Sequence, residues 1–197
     1  MKDAAPDLDA RIANRVRELR AERALSLDAL AARSGVSRSM ISVIERGRGS
    51  ATAVVLEKLA AGLDVPLAIL FETPSVSTPA GPVARRAQQT AWRDPASGYL
   101  RRNVSPPGTS QPMQLVEIEF PPRARVAFES GARDARVYQQ IWLLDGTIDV
   151  SVGDARHRLR TGDCLAMQLG APTMFHNPTR KMARYAVVTA SEIPARR

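Results

Sequence analysis

Cysteine, histidine and aromatic residues are scarce in this sequence of 197 residues, which has one cysteine, two histidines and 5% aromatic residues. Cys164 cannot form a disulfide within the chain, which fits a reducing compartment. The two histidines, His157 and His176, cannot build a three-histidine metal site within one chain. The sequence also lacks a glycine-rich phosphate loop and a nucleophile elbow. We therefore expect no metal, no cofactor and no catalytic residues.

Long apolar runs are missing as well. No segment approaches the roughly 20 consecutive apolar residues of a membrane-spanning helix, and residues 1–7 lack the apolar stretch of a secretory signal. We expect a cytoplasmic protein without a membrane partner. Hydrophobic residues still make up 44% of the chain, which is enough for packed cores, and the length suits two domains of roughly 100 residues each.

The positive charge is distributed unevenly along the chain. Residues 1–72 carry 11 basic and 10 acidic side chains, whereas residues 73–197 carry 17 and 10, so most of the net charge of +8 lies in the second part. Such an excess predicts non-specific attraction to anions and says nothing about the fold. Within the first part, the stretch from Arg33 to Arg48 contains four arginines and a single acid, Glu45. This stretch is a local concentration of positive charge.

The pattern of residues 8–72 predicts a small all-helical domain. Apolar residues recur every three to four positions from Leu8 to Leu19, as in an amphipathic helix. Residues that favour helix ends then divide the rest into short segments. These are Ser26, Ser37 and Thr52 as N-caps, Gly35 and Gly47 as stops, and Pro66 in the first turn of the last segment. We predict five helices, the third with Met40, Ile41 and Ile44 as its apolar face.

The composition changes after residue 72. Residues 73–82 are rich in proline, serine and glycine, so we predict a linker and connecting segment over residues 73–110, with Trp92 and Tyr99 packed on the next domain. From residue 111 to residue 193, short runs of alternating apolar residues predict an antiparallel barrel or sandwich. Examples of these predicted strands are Gln114–Phe120, Val137–Leu144, Thr147–Val152, Cys164–Gln168 and Arg184–Thr189. The apolar run around Cys164 predicts a buried, inert thiol.

The segment from Leu27 to Arg46 predicts two helices joined by a tight turn. Gly35 can supply the positive φ angle that the turn needs, and Val36 can pack between the helices. In a helix-turn-helix unit the second helix lies in the major groove of DNA and presents its N-terminal half to the base edges. Helical hairpins with a glycine turn also occur in proteins that never touch DNA, so the spacing alone leaves both alternatives open.

Residues 12–71 resemble the phage-repressor and Cro-like family of helix-turn-helix regulators, the xenobiotic-response-element type. The shared motifs are Leu30-Ala31, Gly35-Val36-Ser37, Ile41-Ser42, Ile44-Glu45-Arg46-Gly47, Leu59-Ala60 and Leu63-Asp64-Val65. The resemblance implies that Arg38, Ser39 and Val43 read bases and that Arg46 and Arg48 contact phosphates. Exposure on the same helix adds Ser42, and a phosphate is favoured at the helix N-terminus. The predicted DNA-binding residues are Ser37, Arg38, Ser39, Ser42, Val43, Arg46 and Arg48.

Residues 112–190 resemble the cupin fold, a small double-sheet β-barrel. The matching segments are Leu143–Val150, Leu159–Asp163, Ala171-Pro172 and Asn177-Pro178. Metal-binding cupins hold their ion with three histidines and a glutamate. The corresponding positions in this chain are Ala132, Asp134, Gln139 and Thr173, and none of them is the expected ligand. The resemblance therefore implies a cupin-like domain without a metal.

Strand alternation places Gln139, Ile141 and Leu143 on one face of a strand, and the cupin resemblance turns this face inward. Together with Met167 and Thr173, these residues are predicted to line a pocket for a small-molecule effector. A small barrel can enclose one small ligand, and small residues leave room where cupins carry histidines. The alternative is that neighbouring side chains fill this space.

The expected fold is a two-domain α + β protein with an N-terminal five-helix helix-turn-helix domain, a linker and a C-terminal cupin-like double-sheet β-barrel. The expected function is sequence-specific transcription regulation by a homodimer on a palindromic operator in double-stranded DNA, with the barrel serving effector sensing, dimerisation or both. One alternative is a cupin-type enzyme with an accessory DNA-binding domain, which would need catalytic residues in the barrel. Another is a structural DNA- or partner-binding protein whose barrel only dimerises.

Overall fold

The computed structural model describes residues 8–71, 81–108, 112–129 and 136–192. The chain forms two compact units, which divide between residues 79 and 80. The first unit is helical and the second is built mainly from strands, in the predicted order. Within the described ranges, no helix is long and apolar enough to cross a membrane.

Between residues 8 and 71, four α-helices and one 3-10 helix form the first unit. The α-helices are α1 (Leu8–Glu22), α2 (Leu27–Ser34), α3 (Arg38–Glu45) and α4 (Ala53–Gly62). Three of them begin at the predicted caps, whose side-chain oxygens accept backbone N–H hydrogen bonds at 3.0, 3.2 and 3.4 Å. These caps are Ser26, Ser37 and Thr52. Each cap satisfies a donor that the helix itself leaves unpaired.

The predicted fifth α-helix is wrong, because Leu67–Phe71 is a 3-10 helix of five residues. The Ile69 N–H donates to the Pro66 carbonyl, three residues back, at 3.0 Å. Residues three apart stand above one another in a 3-10 helix, so Ala68 and Phe71 face the same way, and both are buried. The tighter winding suits a short segment that must pack apolar residues against both α1 and α4.

The helices pack around fully buried aliphatic side chains. These are Val16, Leu30, Ile41, Leu56, Leu59, Leu63 and Leu70. At the end of α4, Gly62 approaches α2 so closely that a Cβ atom there would lie 2.7 Å from the Cβ of Ser34. Packing at native density therefore requires glycine at this position. This contact fixes the end of α2, from which the turn to α3 starts.

The described residues of the second unit form ten strands in two antiparallel sheets, and these strands are numbered in chain order. The six-stranded sheet contains β1 (Ala91–Arg93), β2 (Leu100–Asn103), β3 (Met113–Phe120), β5 (Arg136–Asp145), β8 (Cys164–Gln168) and β10 (Ala183–Glu192). The four-stranded sheet contains β4 (Arg125–Phe128), β6 (Thr147–Val152), β7 (Ala155–Arg160) and β9 (Thr173–His176). The strand orders are β1-β2-β3-β10-β5-β8 and β4-β9-β6-β7.

All five predicted strands are confirmed, as β3, β5, β6, β8 and β10. The other five strands were not predicted. Two of them, β1 and β2, lie before residue 111, so the six-stranded sheet begins within the predicted connecting segment. The missed strands are short or strongly charged, and β7 has a single buried residue, Leu159. Their apolar alternation is therefore too weak to recognise.

The two sheets do not close into the predicted barrel. Among the described residues, one sheet ends at β1 and β8 and the other at β4 and β7. No described strand of one sheet is hydrogen-bonded to a strand of the other, so the sheets stay separate, and a series of aromatic side chains runs from one to the other. Neighbouring rings in this series have centroids 6.0 to 6.2 Å apart: Trp92, Tyr99, Phe120, Tyr185, Phe175 and Phe128. Burial of Trp92 and Tyr99 confirms their predicted packing on this unit.

Candidate DNA-binding interface

The predicted turn at Gly35 joins α2 to α3. Gly35 has φ 67° and ψ 14°, the left-handed conformation, and its N–H donates to the Ala31 carbonyl at 2.9 Å. The Ser34 hydroxyl donates to the Leu30 carbonyl at 2.7 Å and accepts from the Val36 N–H at 3.2 Å. Val36 is buried, as predicted. These bonds hold the two helices at the fixed angle of a helix-turn-helix unit.

The inner face of α3 is formed by Ile41, Ile44 and Glu45. Met40 was predicted to belong to this face, and that prediction is wrong, because its side chain is 45% exposed. The buried residues follow the i, i+3, i+4 spacing of one helix stripe. The buried stripe includes Glu45, so it is centred further from Met40 than the predicted stripe of Met40, Ile41 and Ile44. Met40 therefore turns toward solvent.

The opposite face of α3 carries most of the predicted DNA-binding side chains. Ser39, Val43 and Arg46 follow at i, i+4 and i+7, so they lie along one line of the helix surface. Arg38 and Ser42 both lie to one side of this line. Arg38, Ser39 and Arg46 are exposed, and the other two are half-buried. The face offers guanidinium and hydroxyl groups for hydrogen bonds and the methyl groups of Val43 for an apolar contact.

Ser37 and Arg48 lie at the two ends of α3. Ser37 is exposed and caps the helix. Beyond the helix, the Arg48 N–H donates to the Val43 carbonyl at 3.1 Å, and the Arg48 side chain is exposed. A hydrogen bond from the Ser50 hydroxyl to the Asp9 carboxylate ties the following loop to α1. The structure thus brings all seven predicted residues to one helix and its flanks.

A buried ion pair fixes α3 against α1. The Arg20 guanidinium donates from Nε to Glu45 Oε1 at 2.7 Å and from Nη2 to Oε2 at 2.8 Å, and its Nη1 donates to the Leu25 carbonyl at 2.9 Å. The side chain of Glu45 is 8% exposed and that of Arg20 is 19% exposed. The hydrogen bonds that Arg20 donates to Glu45 raise the pKa of Arg20 above its ordinary value. Because the contact is bidentate, it sets the orientation of α3 as well as its distance.

The role of Arg20 was not predicted from the sequence. The available signal was Glu45, a charged residue on the same side of α3 as Ile41 and Ile44. A carboxylate at such a position needs a cationic partner. The sequence did not identify which arginine of α1 would supply it.

Arg38 is held by a carboxylate of α2. Its Nε lies 3.2 Å from Asp28 Oδ1, and both side chains are largely exposed. Ion pairs this exposed contribute about 0–1 kcal/mol, so Asp28 holds Arg38 only weakly.

The predicted effector-binding residues of β5 face the other sheet. Ile141 and Leu143 are fully buried, and Gln139, on the same side of the strand, is half-buried. The Gln139 Nε2 donates to Thr189 Oγ1 on β10 at 3.2 Å. Met167 lies opposite Gln139 on β8 and is half-buried. The inner face therefore has a polar end at Gln139 and Thr189 beside an apolar centre.

The remaining positions of the predicted pocket lie on other segments. Thr173, on β9 of the four-stranded sheet, is buried, and its hydroxyl donates to the Ala171 carbonyl at 3.1 Å. Ala132 and Asp134, two of the positions that correspond to cupin metal ligands, lie outside the described residues. The structure therefore places Gln139 and Met167 in register on adjacent strands, with Thr173 on the opposite sheet.

The cysteine and one of the two histidines are exposed. The buried thiol predicted for Cys164 is wrong, because strand alternation puts this residue beside Trp142 on the exposed face of the six-stranded sheet. His157 is exposed on β7, and the half-buried His176 has its Nδ1 3.8 Å from Asp149 Oδ2. In the part of the chain that the structure describes, no three His, Cys, Asp or Glu side chains form a group that could hold a metal ion.

The sequence of the helical unit matches known helix-turn-helix proteins. The helix-turn-helix family HTH_3 matches residues 16–70. The control protein C.MunI of Mycoplasma sp is 38% identical over 66 residues, which cover 33% of this chain and 89% of that protein. The chain belongs to the HTH_3 family. Its membership explains why the turn, the recognition helix and the following helix agree with one pattern.

A second relative is the HTH-type transcriptional regulator SutR of Escherichia coli (strain K12). It is 41% identical over 64 residues, which cover 32% of this chain and 36% of SutR, so the match spans little more than a third of that relative. A solved HTH_3 family transcriptional regulator from Vibrio cholerae has a TM-score of 0.76 and 24% identity, covering 94% of this chain and 98% of that one. This likeness shows a shared fold that includes the β-rich unit.

Proposed function

We propose that this HTH_3 protein is a cytoplasmic, sequence-specific transcription regulator that binds operator DNA as a homodimer and is not an enzyme. One observation carries the proposal: α3 presents Ser39, Val43 and Arg46 outward while the Arg20–Glu45 pair fixes its orientation. A helix that reads bases must be held to within about half an ångström. SutR and the Vibrio protein are both named transcriptional regulators, which supports the same function.

The side chains around α3 divide into two groups in the proposed complex. Arginine can donate two hydrogen bonds to guanine, serine can bond to several bases, and valine can contact a thymine methyl. Guanidinium groups beside the helix and the helix N-terminus suit phosphates. The base-reading group is Arg38, Ser39, Ser42 and Val43, and the phosphate-binding group is Ser37, Arg46 and Arg48.

Single substitutions distinguish these two groups in anisotropy titrations with an operator duplex selected from random sequences. Arg38→Ala should cost about 1–3 kcal/mol and relax the preference at one base pair. Arg48→Ala should weaken all sequences about equally and reduce the salt slope of the affinity by about one. Arg93→Ala, which removes an exposed arginine from β1, is the control. If the first two variants bind like the wild type, α3 is not the recognition helix.

A second copy is part of the proposal, because one recognition helix covers only a few base pairs. The candidate interface is the outer face of the six-stranded sheet. Trp142 is 52% exposed there, and Tyr138 and Met113 are also exposed. Tyr138 and Met113 pair with the same residue of β10, Ala190, so they lie in one row. Exposed apolar side chains grouped in this way are typical of protein interfaces.

Size-exclusion chromatography with light scattering, which measures the oligomeric state, tests this interface. The wild type should be a dimer that occupies two half-sites roughly 34–36 Å apart or a multiple of that distance. Trp142→Glu should be monomeric, because it places a charge in an apolar contact, whereas Trp142→Phe should remain dimeric. A monomeric wild type with a single half-site footprint would contradict the dimer. A Trp142→Glu variant that stays dimeric would move the interface to another surface.

The second unit is proposed to sense a small organic effector in the space between its sheets. The proposed lining residues are Gln139, Ile141, Leu143, Met167 and Thr173. An amide and a hydroxyl among apolar walls suit a neutral ligand with one or two polar groups. Such a ligand regulates DNA binding only if it favours one dimer geometry over another.

A metabolite screen by thermal shift, followed by operator titration, tests sensing. The expected result is a stabilising compound that changes operator affinity in the wild type and loses its effect in Gln139→Leu. A stabilising compound that leaves operator affinity unchanged would contradict sensing. Metal analysis of the same preparation tests the metal-free cupin-like site, and a stoichiometric metal would contradict it.

A further inference from the structure

The outer face of the four-stranded sheet carries four arginines. Successive side chains of a strand point to opposite faces, and the burial of Ile148, Leu159 and Phe175 identifies the inner face. The outward positions are Arg125 and Ala127 on β4, Thr147, Asp149 and Ser151 on β6, Arg156, Arg158 and Arg160 on β7, and Met174 and His176 on β9. The four arginines, all exposed, are called the arginine face below.

Asp149 offsets one of the four positive charges. Arg158 donates to it from Nε at 2.7 Å and from Nη2 at 2.9 Å, and this contact holds the pKa of Asp149 below its usual range. Within the described residues, no ion pair joins the side chain of Arg125, Arg156 or Arg160 to a carboxylate. The arginine face therefore has an excess of three positive charges over its one acid.

The register of the strands sets the size of the arginine face. Arg158 lies opposite Asp149, Asp149 opposite His176, and His176 opposite Arg125. Four strands span about 14 Å, and alternate residues from Arg156 to Arg160 span a similar length. Duplex DNA presents one negative charge per about 1.7 Å of helix axis, so a surface of this size faces several phosphates.

We propose that the arginine face binds the phosphate backbone of the DNA that α3 reads, and adds affinity that does not depend on sequence. The inference rests on the proposed function. Arginine forms bidentate hydrogen bonds with phosphates. The outward positions include only two apolar residues, Ala127 and Met174, which is too few for the apolar core of a protein interface. The covalent link to the helical unit keeps the arginine face near any DNA that this unit holds.

Salt-dependent binding of the full-length protein to a mixed-sequence duplex of about 40 base pairs tests the proposal, measured between roughly 50 and 200 mM salt. Arg156→Gln/Arg160→Gln should reduce the salt slope by about two, because each phosphate contact contributes about 0.9. Asp149→Asn should increase the slope by about one, because it frees Arg158. Arg85→Gln/Arg93→Gln removes the same charge from exposed positions outside the four-stranded sheet and should leave the slope unchanged.

Arg48→Ala in the same titration separates this inference from the proposed function. If Arg48→Ala lowers the slope and the Arg156→Gln/Arg160→Gln variant does not, the arginine face has no role in DNA binding, and an acidic protein becomes its candidate partner. An equal loss in the Arg85→Gln/Arg93→Gln control would also overturn the inference, because only overall charge would then matter. A wild type without affinity for the duplex would overturn both the inference and the proposed function. Asp149→Asn keeps the test decisive if the double variant fails to fold.

Discussion

Replacing Glu45 with glutamine, a side chain of nearly the same size, should weaken the attachment of α3 to α1. The change removes the negative charge and one of the two oxygens that accept hydrogen bonds from Arg20, so the guanidinium keeps the Leu25 carbonyl and one amide oxygen as acceptors. Breaking a fully buried ion pair costs about 3–5 kcal/mol. Because the Arg20 side chain is 19% exposed, water can partly solvate the remaining charge, and we expect a loss of about 2–3 kcal/mol. This is a large fraction of the stability of a small helical unit.

Urea unfolding followed by circular dichroism of the helices measures this loss. Arg17→Met is the matched control, since Arg17 is an exposed arginine of α1 whose Nη2 donates to Asn14 Oδ1, and it should cost less than about 0.5 kcal/mol. Arg20→Met combined with Glu45→Leu should recover most of the stability, because it leaves no buried charge unpaired. A cost for Glu45→Gln no larger than that of Arg17→Met would refute the assigned role of the pair.

Three further predictions follow from packing, burial and charge. Gly62→Ala should destabilise the helical unit by about 1–3 kcal/mol, because the new Cβ would lie 2.7 Å from the Cβ of Ser34. Urea unfolding measures this loss, with Gly81→Ala as the control because a Cβ at Gly81 would meet open space. Equal effects of the two substitutions would contradict the close packing at Gly62. Burial raises the pKa of Tyr185. The contribution of this residue to the free energy of unfolding is therefore complete below the unfolded-state pKa of about 10 and falls by about 1.4 kcal/mol per pH unit above that pKa. Urea titrations on both sides of that pH should show this loss in the wild type and not in Tyr185→Phe, and an equal pH dependence in both proteins would refute the prediction. Asp28→Asn should tighten operator binding several-fold, because it releases Arg38 from its ion pair for binding to DNA. Titration of the same change in an Arg38→Ala protein should show most of the gain abolished, and an undiminished gain would contradict competition between Asp28 and DNA for Arg38.

The helical unit was predictable because its signals are local. Ser26, Ser37 and Thr52 hydrogen-bond within the turn that each one caps, and Gly35 adopts a backbone conformation that its residue type favours. Met40 was placed on the wrong face because its environment depends on a contact 25 residues away along the chain, between Glu45 and α1. Helical periodicity gives the spacing of a stripe, and tertiary contacts decide where that stripe is centred.

The β-rich unit was less predictable because its strands depend on distant partners. The outward positions of β7 carry arginines, and the single buried residue Leu159 gives no alternating pattern. Cys164 lies in an apolar run, but it belongs to a face of β8 that is exposed. The inward position of Gln139 followed from alternation, whereas its hydrogen bond to Thr189 depends on pairing across 50 residues of sequence. Sequence alone therefore located the strands with strong alternation, but it did not predict that the two sheets stay open.

Selection of bound sequences from a pool of random duplexes, carried out in parallel with the wild type and Arg38→Ala, tests most directly whether α3 reads DNA. The wild type should enrich a near-palindrome whose half-sites lie roughly 34–36 Å apart or a multiple of that distance. Arg38→Ala should enrich the same sequence with the preference lost at one base pair of each half-site. A wild type that enriches no sequence, or an Arg38→Ala variant that selects an unchanged one, would contradict the account.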